Sequence, residues 1–128
     1  MAENFPGGIV NTQHDVLKQR AYQFALYIIK LFRELPKDDV ARVIGRQLLK
    51  SGTSVAANYR AAGRARSRAE FVSKMGVVVE EADESAFWLD LLVDSGIVSM
   101  GVLSGIVREA NELLAIFAAS YHTAKRNR

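Results

Sequence analysis

Apolar residues recur along this chain at alternating steps of four and three. The first run is Leu17, Ala21, Phe24, Ile28, Leu31 and Leu35. That spacing returns to one side of a 3.6-residue helix and predicts an amphipathic helix from about His14 to Leu35. Pro36 follows. It disfavours helical geometry in the residue before it and has no amide hydrogen, so one helix should end there and another begin. The second run is Val40, Ile44, Leu48, Ser51, Val55 and Asn58, opened by Asp38-Asp39 at the positive end of the helix dipole. Small residues crowd its middle: Gly45, Ser51, Gly52, Ser54, Ala56 and Ala57. Gly52 either ends this helix or sits inside one packed closely on a neighbour. The stripe passes Gly52 without a phase jump, which favours the second reading even though glycine costs ~1 kcal/mol in a helix interior.

The third run is Phe71, Met75, Val78, Ala82, Ser85, Leu89 and Leu92, with a parallel stripe at Val72, Val79, Ala86 and Val93. Ser67 with Glu70 three residues on reads as a capping box, and Gly96 as the terminator. The fourth run is Leu103, Ile106, Ala110, Leu113, Phe117 and Tyr121, from about Ser99 or Met100 to Ala124. No period-two alternation of useful length appears. The prediction is all-α: an antiparallel up-and-down four-helix bundle, ~30–40 Å long at ~1.5 Å per residue. Residues 1–13 read as a loose arm and 14–128 as one domain.

The third helix carries more apolar surface than the single narrow stripe of a bundle helix needs. Val72, Val79, Phe87, Trp88 and Leu91 flank its main stripe. A wide monomeric core is one explanation. The preferred one is a second buried face in a closed homo-oligomer.

The chain has 128 residues, no cysteine and a net charge of +3. Its length suits a single domain whose core needs no disulfide staple. No apolar run approaches the ~20 residues that span a bilayer, and the start lacks a signal-peptide pattern, so a cytoplasmic location and no membrane are expected.

Enzyme chemistry has little to stand on. His14 and His122 lie at opposite margins of the pattern, and neither follows an arginine by a few residues as in helical ribonuclease toxins. No Glu precedes His by three, the spacing of di-iron bundles. Glu80, Glu81, Asp83 and Glu84 read as a solvated helix face. No catalytic, metal-binding or cofactor-binding residues are assigned, and no cofactor is expected.

Charge is segregated instead. Arg60, Arg64, Arg66 and Arg68 follow one another without an acid, and Arg42, Arg46 and Lys50 recur at steps of four on the second helix. The third helix is strongly acidic. The seven basic residues form either a phosphate-binding surface for RNA or DNA backbone or a solvated face paired with the acidic helix across an interface. Arginine forks suit phosphate better than lysine does, which tilts the reading to binding. A scaffold or protein-interaction module without nucleic acid is the alternative.

The stretch Ser51-Gly52-Thr53-Ser54-Val55-Ala56-Ala57-Asn58-Tyr59-Arg60-Ala61-Ala62-Gly63-Arg64, followed by Ala69-Glu70-Phe71 and Glu80-Glu81-Ala82-Asp83-Glu84, resembles the 23S rRNA intervening-sequence protein family, also called "four helix bundle protein". The likeness runs from about Asp15 to Tyr121. Ser54, Asn58, Gly63-Arg64 and Glu70-Phe71 match. The family's Ala-Glu-Gly is Ala61-Ala62-Gly63 here, so no role of that glutamate carries over. The resemblance implies a left-handed antiparallel bundle, a homopentameric ring, and kinship with the accessory protein of diversity-generating retroelements, a basic barrel that binds nucleic acid and a reverse transcriptase. It offers no catalytic residues. It also implies that Ser51, Ser54 and Asn58 sit at a close helix contact, bonded to backbone or to Glu80 or Glu84.

Overall fold

The computed structural model describes residues 12–127. Four helices follow one another: α1 (Gln13–Glu34), α2 (Asp39–Ala62), α3 (Arg68–Asp94) and α4 (Met100–Arg126). Short links make neighbours antiparallel. Each helix packs on its successor, α1 and α4 meet only sparsely, and no strand interrupts the described residues. Of the expected loose arm, residues 1–11 lie outside the described residues. Thr12 and Gln13 belong to the helix: Thr12 caps α1 in a reciprocal box with Asp15.

Each start is capped by the residue type that satisfies orphan amides. Asp38 accepts from Ala41 N, Ser67 from Glu70 N and Ser99 from Val102 N. The capping box expected at Ser67 is only half formed, because the Glu70 carboxylate accepts from the Arg66 amide at 2.6 Å. Leu35 is extended (φ −67°, ψ 152°) ahead of Pro36. Gly96 turns at φ +80°, a conformation that an L side chain strains to adopt.

The four main stripes meet in one core from Leu17 to Phe117. Two positions of the α2 stripe depart from expectation. Val40 is exposed and Ala41 buried in its place; Asn58 is half-buried and Tyr59 buried. Each shift is one residue toward α1, because α2 packs on α1 as well as α3 and its core face is wider than a heptad seam. Gly45 and Gly52, seven apart, let α1 come close: a Cβ on Gly52 would lie 3.0–3.3 Å from Ile28. Gly52 is therefore inside the helix at a close approach.

On the α3 side of α2, Ser51 and Ser85 are buried and share a 2.9 Å hydrogen bond. Ser85 donates its one hydroxyl hydrogen to Glu81 O at 2.9 Å, which makes Ser51 the donor to Ser85. Of the two expected partner types, Asn58 uses the backbone, donating to Ser54 O on its own helix, and Ser51 meets a serine in place of Glu80 or Glu84. Two hydroxyls satisfy each other without burying a charge, which a carboxylate there would require.

The doubled stripe of α3 has a mostly internal explanation. Ala86 is buried, and Val79 and Val93 pack on the core. Val72 lines a cleft with Lys125 of α4, and Gly76 lies against Tyr121. This stripe faces α4 while the Ser85 side faces α2. Of the expected interface residues, Val79 thus packs on the core, and Val72 is half-buried at the edge of a cleft. Phe87 is the residue of that set on the outside, 55% exposed and edge-on to Trp88 at 4.8 Å. Trp88 and Leu91 are half-buried, and Trp88 Nε1 is buried without a hydrogen-bond partner among the described residues.

Candidate nucleic-acid interface

The up-and-down path brings the start of α1, the end of α2, the start of α3 and the end of α4 to one end of the bundle. Arg60 lies in the last turn of α2. Arg64 and Arg66 follow in the link, and Arg68 opens α3. Arg68 donates from Nη1 to Ala124 O at 3.2 Å, so the tail of α4 sits beside this link. That contact adds Lys125 and Arg126, exposed in the last turn of α4, to the same end. Reading the chain by segments missed these two. They are far away in sequence, and only the even number of antiparallel passes returns them to the link.

The seven predicted residues do not form one patch. Arg42, Arg46 and Lys50 are exposed. Arg42 lies ~27 Å along α2 from Arg60 at 1.5 Å per residue. Its Nε donates to Lys37 O at 3.2 Å and ties down the preceding link. Lys50 sits near Glu81 of α3. Burial, and then the charge of Glu84, hold the Glu81 carboxyl above its ordinary range, while Lys50 opposes that shift. At the basic end, Arg66 reaches Glu70 at 3.6 Å but its side chain is 90% exposed, a pairing worth little in water. The sparse α1–α4 seam is clasped apart from this end: Arg20 donates to Glu109 from Nε (3.1 Å) and Nη2 (2.7 Å), and to Glu112 at 2.6 Å.

Between the arginine link and the core lies an aromatic column. His14 stacks on Tyr59 (centroids 4.7 Å) and Tyr59 on Phe117 (4.8 Å). The imidazole occupies the space that a Cβ on Gly63 would take. Burial, and then the charge of Lys18, lower the His14 pKa, with Asp15 opposing. The native state therefore favours the neutral ring. Its contribution to stability is present above ~6.5, the unfolded value, and is lost as pH falls through the lower native value. The urea midpoint should drop between pH 7.5 and pH 5, with a smaller drop in His14→Gln; equal profiles would contradict the assignment.

Among the described residues no group of three His, Cys, Asp or Glu side chains is placed to hold a metal ion, and no helix is long and apolar enough to cross a membrane. Fold and site together define a helical bundle with an arginine-rich end. The chain belongs to the 23S rRNA-intervening sequence protein family, whose model matches residues 13–119. It is similar to a crystal structure from Bacteroides thetaiotaomicron, a protein of unknown function from the S23 ribosomal protein family. The two are 30% identical with a TM-score of 0.80, over 87% of this chain and 99% of that one. No curated protein matches the chain.

Proposed function

We propose that this chain is a non-enzymatic, cytoplasmic bundle protein that assembles as a homo-oligomer, by preference a pentamer, and holds RNA or DNA backbone at its basic end. The observation that carries this reading is the convergence of Arg60, Arg64, Arg66 and Arg68 with Lys125 and Arg126, opposed nearby only by Asp15 and Glu70 among the residues named at that end. Repetition in a ring multiplies a modest patch by raising the effective concentration of the second contact. Phosphate contacts of this kind are sequence-tolerant and salt-sensitive.

Binding to a labelled duplex, measured by anisotropy across a salt series, tests it. The joint Arg60→Gln, Arg64→Gln and Arg66→Gln variant should reduce the slope of log affinity against log salt by about 2.7, three contacts at ~0.9 each. No salt-sensitive affinity at low salt, or an unchanged slope, overturns the reading. Light scattering tests the assembly, which a clean monomer refutes.

A scaffold or protein-interaction role without nucleic acid is the second reading. The exposed Phe87, beside half-buried Trp88 and Leu91, favours it, because an aromatic held at the surface suits a protein partner or another copy.

A further inference from the structure

A cleft of ≈ 670 Å³ opens at the basic end, in the size range of ~300–1,000 Å³ typical of small-ligand sites. Phe71 and Ile116 give it apolar walls. His14 and Tyr59 give it aromatic ones, and Ser67 and Ser120 add hydroxyls. The link between α2 and α3 has an alternation that bears on what the cleft takes. Gly63, Ala65 and Ser67 line it, and the residues between and after them, Arg64, Arg66 and Arg68, are exposed. One short segment thus forms a cleft wall and carries a row of guanidinium groups along its rim.

We propose that this cleft takes an unpaired nucleobase, stacked against the His14 and Phe71 rings, while Arg64 and Arg66 on the rim hold the flanking phosphates. This rests on the backbone-binding reading above and sharpens it, since the ligand becomes a single strand, a bulge or a loop instead of a paired duplex. Bases splayed out of a helix are recognised in this manner, by aromatic stacking with hydrogen bonds from nearby polar groups. Burial lowers the His14 pKa and so favours the uncharged ring, a flat surface that carries no hydration shell of its own charge. Gly63 is part of the device: any side chain there displaces the imidazole from its place over the backbone.

The test compares a labelled single-stranded oligonucleotide with the duplex of the same sequence at one salt concentration. Wild-type protein should prefer the single strand. Gly63→Ala and His14→Ala should weaken single-strand binding about tenfold and leave duplex binding unchanged. Phe71→Leu, which removes the other stacking ring and keeps an apolar side chain on the core, serves as a second variant if either of those unfolds, and should weaken the single strand alone. Equal losses on both ligands, or none, overturn the proposal. Uncharged adenosine at millimolar concentration, followed through the His14 ring resonances, reads the cleft without the arginines. Shifts there with no effect of Arg64→Gln and Arg66→Gln on either oligonucleotide would leave a nucleoside site and remove the backbone reading. Salt-sensitive duplex binding with unmoved His14 resonances would do the reverse. A nucleoside monophosphate that binds as tightly as the strand would assign the cleft to free nucleotides, and overturn the strand proposal.

Discussion

Phe117→Ala is expected to lower the unfolding free energy by about 3–5 kcal/mol, the largest loss of any single truncation considered for this protein. Phe117 is fully buried in α4 and closes the inner end of the aromatic column. Three effects add. The ring's transfer from water is lost, a cavity remains because α1, α2 and α3 hold the surrounding side chains in place, and the tilted contact with Tyr59 disappears, itself worth ~0.5–1.5 kcal/mol. A domain of this kind has only about 5–15 kcal/mol in total. Urea denaturation at fixed protein concentration measures the loss as a shift in midpoint at constant slope. A loss under ~1 kcal/mol would mean that the column collapses onto the void without cost. Because His14 stands on Tyr59, its ring environment should change as well, although it is two rings away.

Gly52→Leu is the second large effect, expected to destabilise by about 1–3 kcal/mol after the helix-propensity gain of roughly 1 kcal/mol is counted. The Cβ position meets Ile28 Cγ1, Cγ2 and Cβ at 3.0, 3.2 and 3.3 Å. Ile28 is fully buried and β-branched, so it has one strongly preferred rotamer in a helix and cannot swing aside. The helices must separate instead. Gly45 is a gentler case, because the atoms near its Cβ position are the tips of Leu35 and Phe32 at 2.8–3.2 Å. Gly105 is the control. Nothing lies within 4 Å of its Cβ position, so Gly105→Ala should stabilise by up to ~1 kcal/mol. A thermal or urea series across the three orders them; stabilisation by Gly52→Leu would show that α1 and α2 are not in the close register described.

The two predictions rest on features with different visibility in the chain. The Gly52 contact was readable in advance, since an uninterrupted stripe through a glycine in a run of small residues has few explanations. The aromatic column was not. His14, Tyr59 and Phe117 come from three helices, and nothing in their spacing links them. Tyr59 did not belong to the expected stripe, which ran through Asn58 one residue earlier.

The basic surface shows the same division. The arginines of the α2–α3 link were visible as a run without acids. Their separation from Arg42 and Arg46, and their union with Lys125 and Arg126, depend on the folding of four antiparallel passes. The flanking stripe of α3 divides for a related reason. A stripe's existence is a property of sequence, but whether it meets a neighbouring helix or solvent is not. Val79 packs on the core, Val72 sits at a cleft beside Lys125 of α4, and Phe87 is left outside.

What the chain determined alone was local and periodic: four helices, their caps and stops, one apolar side for each, and one helix pair able to approach closely. Those follow from hydrogen-bonding groups and periodicity within a few turns. What only the tertiary structure decided was which ends meet. It placed the charges of two distant segments together, set a histidine ring over a glycine, and opened a cleft behind a row of arginines. Such juxtapositions depend on the return of the chain across the bundle, and no local pattern encodes that return residue by residue.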